Sequence, residues 1–332
     1  MKPLLEIRNL KTHFFTRTGV VKAVNGVSFD VMPGETLGLV GESGSGKTIT
    51  VTSILKLLPR GARILAGDVI FKGENLIDKT EKEMQSVRGK RIGLVLQNSM
   101  TALDPVFTIG SQITEPVVVH NQLSWKDGLK RAIDLLRMVK IGAPEIRINN
   151  FPHELSGGMR QRAASAAAIG PTPSLLIADE PTTALDVTTQ RQYLELFKDL
   201  QEQTGIAVIF ITHDMSIVGN LCDRIAVFYG GYVVESGPKA DLFAAPSHPY
   251  TQALLGAIPV LGEKVDRLQS VDGEPPNPLN LPAGCPFHPR CDRALDICKR
   301  GDAPPTFQLS SAHQVRCWLR EENHVGDPVG NA

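Results

Sequence analysis

The sequence predicts an α/β fold, a mostly parallel sheet with helices on both faces, followed by a small Pro- and Cys-rich extension. Three observations predict it. Short apolar runs of strand length alternate with helix-periodic segments up to about residue 240. A glycine-rich loop sits where one such run meets a helix. After that point the composition changes: four of the five cysteines lie in the last 48 residues and thirteen of the 23 prolines in the last 95. The 332 residues are enough to bury a core without covalent staples. Lys+Arg and Asp+Glu are both 35, so the formal charge is zero. That balance argues against a protein that coats nucleic acid, which needs clustered cations on phosphates. No apolar run approaches the ~18–20 residues that span a bilayer. The opening MKPLLEIRNLK places Glu6 and Arg8 where a signal peptide needs an apolar stretch. The expectation is a chain that is neither secreted nor membrane-spanning by itself.

The elements follow in order. Leu4–Leu10 reads as a strand, and Val20–Val31 alternates and stops at Pro33-Gly34, a turn signal, so an antiparallel pair is expected. Thr36–Val40 is a buried-type strand entering the loop at Gly41, and Thr48–Leu58 reads as the helix after it. Val69–Phe71 and Ile92–Leu96 are further strands. Leu129, Ala132, Ile133 and Leu136 recur at helical spacing. Leu175–Ala178 and Ala207–Ile211 are buried-type strands, with a helix between them marked by Val187, Leu194, Phe197 and Leu200. Ligands of such folds bind at the carboxyl ends of the strands.

The chemistry-bearing motifs fall at those ends. Gly41-Glu42-Ser43-Gly44-Ser45-Gly46-Lys47-Thr48 fits G-x-x-x-x-G-K-[ST]. Gly41, Gly44 and Gly46 let the backbone curl so that N–H groups, including those of Ser43 and Ser45, face phosphate oxygens. The next helix presents its N-terminus to the same anion. Lys47 would reach the β- and γ-phosphates of ATP, and the Thr48 hydroxyl would ligate Mg²⁺. Leu175–Ala178 ends in Asp179-Glu180, two carboxylates on an apolar strand, a costly arrangement unless a cation uses them. Asp179 suits Mg²⁺ and Glu180 the attacking water.

Leu155-Ser156-Gly157-Gly158-Met159-Arg160-Gln161-Arg162 resembles the signature sequence of ATP-binding cassette (ABC) ATPases. The order of phosphate loop, LSGG and Asp-Glu strand is also that family's order. The resemblance implies a P-loop ABC nucleotide-binding domain over residues 1–245. It would have a RecA-like core, an antiparallel β subdomain and a helical subdomain at about 98–170. It further implies Gln97 as the residue sensing Mg²⁺ and water, His213 as the switch histidine on the γ-phosphate, and Ala184-Leu185-Asp186 as a dimer-contacting loop. It implies an early aromatic on adenine, for which Phe15 is the choice and Phe14 the rival. Two cassettes of this family pair head to tail, so Ser156, Gly157 and Gly158 would act on ATP held by a partner's phosphate loop.

Two further features narrow the resemblance to the oligopeptide/dipeptide importer subfamily: Ser247-His248-Pro249-Tyr250-Thr251-Gln252-Ala253-Leu254, and the cysteine-bearing extension at 246–332. Read from its residues alone, the first is a Pro-Tyr turn opening a helix, with His248 as a capping or surface residue. Asn98-Ser99 departs from the Asp-Pro expected after Gln97. The subfamily implies a second, non-identical ATPase subunit, two transmembrane permease subunits and a substrate-binding protein. It places the chain on the cytoplasmic face of the plasma membrane, powering import of peptides. Nickel, glutathione or oligosaccharide importers share the cassette.

Cys285, Cys291, Cys298 and Cys317 are spaced C-x5-C-x6-C-x18-C. A disulfide framework fits poorly with a reducing compartment. Zinc favours tighter pairs. A [4Fe–4S] cluster needs four thiolates and tolerates irregular spacing, and the resemblance also implies such a cluster in some members. Cluster, zinc and free thiols remain as alternatives, with the cluster expected. Cys222 reads as a small buried residue.

Overall fold

The computed structural model describes residues 2–97, 102–183, 185–258 and 271–320. Asn98, Ser99, Thr101 and Ala184 therefore lie outside the described residues. The chain divides into two compact units, one of residues 1–5, 31–36 and 70–212, the other of 6–30, 37–69 and 213–332. Among the described residues no helix is long and apolar enough to cross a membrane.

The second unit opens with β1 (Leu5–Thr16) and β2 (Gly19–Val31), joined by a two-residue turn and therefore antiparallel. With β4 (Ala62–Phe71) and the short β5 (Glu74–Asn75) they form the order β2-β1-β4-β5. β1 runs to Thr16 rather than stopping at Leu10 because later residues still find partners. The Thr12 hydroxyl meets Ser53 at 2.9 Å, and the Phe15 N–H bonds the Gly61 carbonyl at 2.9 Å. β4 likewise begins well before Val69. Gly67, at φ 96°, lets it cross the backbone of Arg8–Leu10 where a Cβ would come within 2.6 Å. β3 (Thr36–Val40) pairs in parallel with β9 (Arg224–Tyr229), which pairs antiparallel with β10 (Tyr232–Pro238). Cys222 is buried, its sulfur against the side of Gly38. The helix after the loop, α1 (Lys47–Ile54), is shorter than expected because Lys56 turns to φ 52°.

The first unit holds a parallel trio, β6 (Ile92–Val95), β7 (Leu175–Asp179) and β8 (Ala207–Thr212). Its helices are α2 (Glu81–Gln85), α3 (Ile109–Asn121), α4 (Trp125–Met138), α5 (Pro144–Arg147), α6 (Gly157–Ile169) and α7 (Val187–Thr204). α4 buries Gly128, Ala132, Leu135 and Leu136 and leaves Leu129 exposed. The stripe is displaced from the apolar spacing because Gly128 is where α3 comes closest: a Cβ there would stand 2.5 Å from Val118. In α7 the buried stripe is Tyr193, Leu196, Phe197 and Leu200, spaced i, i+3, i+4, i+7, while Val187 is exposed. Tyr193 is held at 2.5 Å from the Ser165 hydroxyl of α6.

The tail joins the second unit through β10. β12 (Gln314–Val315) pairs antiparallel with β10 and with β11 (Phe307–Gln308). Glu235 of β10 is wholly buried and accepts the N–H groups of Ser247 and His248 at 2.7 and 2.9 Å. Its carboxylate also meets His313 Nε2 at 2.8 Å. α8 (Met215–Leu221) and α9 (Lys239–Ala244) precede α10 (Pro249–Gly256). His248 caps α10, its Nδ1 accepting the Tyr250 N–H at 3.0 Å. The capping role matches the sequence reading, but the ring is buried, not on the surface.

Burial, with the Arg293 charge adding to it, lowers the His248 pKa to about 3. The unfolded ring takes a proton near 6.5 and the folded ring does not. The fold therefore has this stability above pH 6.5 and loses it as the pH falls toward 3. His248→Asn keeps a capping oxygen and removes the titration. Thermal midpoints measured from pH 7 to 4 should fall less steeply in that variant than in the wild type.

Candidate functional site: a phosphate loop and its surrounding groups

β3 delivers the chain to Gly41 and α1 takes it up at Lys47. Between them Gly41, Gly44 and Gly46 all have positive φ, at 153°, 77° and 105°. Space is short as well as conformation unusual. A Cβ at Gly41 would strike the Phe228 carbonyl, and one at Gly46 the Ala23 carbonyl. The loop is closed by Ser45 N–H to the Glu42 carbonyl at 3.2 Å and pinned by Gly231 N–H to the Ser45 carbonyl at 3.0 Å. Lys47 is buried, and its Nζ donates to the Gly41 carbonyl at 2.6 Å and the Glu42 carbonyl at 3.0 Å. The ammonium is thus held inside the curl of the loop. Ser43, Gly44 and Thr48 are exposed, and Ser45 is buried. This is a concave, cation-bearing backbone nest at a helix start, suited to a polyphosphate.

The first unit carries the carboxylates. Asp179 ends β7 and is buried. Glu180 follows at φ 42°, a left-handed conformation uncommon for a residue with a Cβ. Its N–H bonds the Ile211 carbonyl at 3.0 Å, and the Thr183 hydroxyl donates to its carbonyl and to its Oε2, both at 3.2 Å. Gln97 follows β6, and its Nε2 donates to Glu180 Oε2 at 3.2 Å. The pair predicted from positions 83 residues apart is therefore in contact. Strain of this kind is found where a side chain must be aimed against local preference.

Ser156 caps α6, its hydroxyl accepting the Met159 N–H at 3.3 Å. No described residue lies within 4 Å of the Cβ position of Gly157, whereas Thr189 crowds that of Gly158. Asp186 caps α7 through the Thr189 N–H at 2.9 Å and hydroxyl at 2.7 Å. His213 is exposed and follows β8 directly. Phe15 is 45% exposed, with the Arg63 guanidinium 5.7 Å from its ring centre. It is absent from the walls of the roughly 260 Å³ cavity beside the loop, which Ser43, Gly44, Tyr229 and Pro275–Pro278 help to form.

Two residues from outside the phosphate-loop motif grip Glu42. Its N–H donates to the Tyr250 hydroxyl at 3.0 Å. Its carboxylate receives both arms of the Arg290 guanidinium, at 2.7 and 3.0 Å. Arg290 comes from the tail, between Cys285 and Cys291. Its Nε donates to the Asp272 carbonyl at 2.7 Å, and its NH1 and NH2 also reach the Tyr229 hydroxyl at 3.3 Å and the Val271 carbonyl at 2.9 Å. Tyr229, Tyr250 and Phe287 pack mutually with ring centres 4.6 to 5.3 Å apart. Burial raises the phenol pKa of Tyr250, keeping it protonated. No local pattern encodes a contact spanning 248 residues.

Cys285, Cys298 and Cys317 are buried and Cys291 half-buried. Burial pushes Cys285 up to about 12 and Cys317 up to about 11, with the neighbouring thiols adding to the shift. Burial thus favours the neutral thiol at Cys285 and Cys317, and metal ligation would need both deprotonated. Among the described residues, no group of three or more His, Cys, Asp or Glu could hold a metal ion. The expected [4Fe–4S] cluster, and zinc as its rival, thus have no formed site among the described residues.

The ABC transporter family model matches residues 24–183, and the oligopeptide/dipeptide transporter C-terminal region matches 234–298. A probable peptide ABC transporter ATP-binding protein of Sinorhizobium fredii is 47% identical, covering 96% of both chains. The oligopeptide transport ATP-binding protein OppD of Bacillus subtilis is 48% identical over 95% of this chain and 88% of its own. Among solved structures, the ATP-binding cassette MJ0796, a dimer bound to ADP and Pi, matches with a TM-score of 0.64 at 28% identity. That match covers 71% of this chain and 98% of the other. CbiO1 of Clostridium perfringens, part of the CbiONQ transporter complex, gives 0.64 at 25% identity, covering 74% and 92%. The chain is an ATPase and belongs to the ABC transporter family, in the branch whose cassette carries the oligopeptide/dipeptide transporter C-terminal region.

Proposed function

We propose that the chain powers import of di- or oligopeptides, as a peripheral subunit on the cytoplasmic face of the plasma membrane. The observation that carries this reading is the pairing of a formed phosphate loop with the peptide-transporter C-terminal region in one chain, over nearly the full length of peptide-transport relatives. Residues 1–245 act as the cassette and 246–332 as its extension. The cargo is selected by a substrate-binding protein and two permease subunits. Val106, Phe107, Val119 and Trp125 of the helical region are all more than half exposed, and this apolar surface suits contact with membrane subunits.

In this reading the N–H groups of 41–48 and the Lys47 ammonium hold the ATP phosphates. Thr48, Gln97 and Asp179 are the groups that would hold Mg²⁺, which supplies charge neutralisation on the phosphates. Glu180, aimed by its left-handed backbone and held by Gln97 and Thr183, orients the attacking water. Lys47 and His213 stabilise charge on the transferring phosphoryl group. Phe15 serves the adenine. Ser156, Gly157 and Gly158 act on the ATP of a second, non-identical cassette. What supports this last assignment is the exposed, capped start of α6 and the dimeric form of MJ0796.

On the tail, a [4Fe–4S] cluster on Cys285, Cys291, Cys298 and Cys317 is the finer reading. What supports it is the nearness of Cys291, Cys298 and Cys317 to Cys285, whose thiol they help to push up. Binding would require them to converge and lose their protons.

Two measurements test these readings. Glu180→Gln should retain ATP binding while hydrolysis falls by about 10²-fold or more; turnover at the wild-type level would remove Glu180 from its role. Anaerobic purification with iron, sulfide and zinc analysis should find about four irons and four sulfides per chain. A single zinc would replace the cluster reading, and metal-free protein would reduce the cysteines to ordinary thiols.

A further inference from the structure

The phosphate loop carries a carboxylate at its second position. Glu42 stands next to the N–H groups and the lysine that would receive a polyphosphate, so an unneutralised Glu42 would repel that ligand. The structure neutralises it from outside the motif. Arg290 is only 4% exposed and meets Glu42 with a two-armed ion pair. Its remaining donors are committed to Asp272, Val271 and Tyr229, so the guanidinium has one orientation. Its carbon lies 5.8 Å from the centre of the Tyr229 ring and 5.9 Å from that of Phe287. The Glu42 backbone is fixed separately, its N–H on Tyr250 and its carbonyl on Lys47.

We propose that Arg290 is a positioning residue of the nucleotide site: by neutralising and aiming Glu42, the C-terminal tail sets the affinity of the phosphate loop for ATP. The inference rests on the reading that residues 41–48 hold the ATP phosphates. It makes the tail part of the nucleotide machinery, because the arginine that tunes the loop is anchored between two tail cysteines. An arginine is needed at this position, since a lysine supplies the charge without the fork.

The test uses the full-length chain and measures ATP affinity together with KM and kcat for ATP. Arg290→Gln should raise KM by about tenfold with kcat changed less than about twofold, because the lost interaction acts on binding. Adding Glu42→Gln in that background removes the uncompensated carboxylate and should bring KM back to within about threefold of the wild type. An unchanged KM in Arg290→Gln overturns the proposal. So does a raised KM that Glu42→Gln fails to recover, since a tail that is merely disordered is not repaired by a neutral residue in the loop. If Arg290→Gln does not fold, Arg290→Met, which keeps the stem beside the rings, is measured in the same pair with the same outcomes. Lys47→Ala separates the two readings. If it binds ATP as the wild type does, the phosphate-loop reading has failed. If it loses ATP while Arg290→Gln does not, only the role of Arg290 has.

Discussion

Everything in the second unit is arranged around a backbone that must curl tightly enough to aim its N–H groups at one point. Such a curl cannot be held by local preference, because each left-handed residue costs energy unless it is glycine. The glycines remove that cost, and packing supplies the rest. Gly41 lies against the Phe228 carbonyl and Gly46 against that of Ala23, so β9 and β2 form the mould in which the loop is set. Lys47 fills the interior and bonds the carbonyls of Gly41 and Glu42. A loop so constrained can receive an anion with little reorganisation.

The same constraint explains how the tail is attached. Tyr229 ends β9, Tyr250 lies on α10, and Phe287 belongs to the cysteine-bearing segment, yet the three rings form one cluster beside Glu42. Glu235 adds a buried carboxylate that satisfies the backbone of Ser247 and His248 and meets His313. The tail has little apolar core, and these polar and aromatic ties to β9 and β10 hold it in place. A small loop-rich segment is stable here because it borrows the core of the unit it covers.

The first unit uses strain differently. Glu180 takes a left-handed conformation without being glycine, held by Ile211, Thr183 and Gln97. Gln97 and Thr183 hold its carboxylate, and the Ile211 carbonyl holds the backbone N–H behind it. Its aim therefore depends on β6, β7 and β8 being paired in register, which the parallel trio provides.

Much of this was legible in the residues themselves. A glycine-lysine loop, an apolar strand ending in two acids and a serine-glycine helix start are local patterns, each dictated by backbone sterics or hydrogen-bond supply within a few residues. They determined the fold class, the ATP chemistry and the positions of Lys47, Asp179, Glu180 and Ser156. Strand lengths, the burial stripes of α4 and α7 and the state of the cysteines were decided by neighbours. β1 and β4 extend because partners extend them, Gly128 turns its helix toward α3, and burial keeps Cys285 and Cys317 protonated. The grip of Arg290 and Tyr250 on Glu42 belongs wholly to the tertiary structure. A guanidinium and a carboxylate 248 residues apart carry no periodicity that links them, and only the packing of the tail against β9 brings their charges within bonding distance.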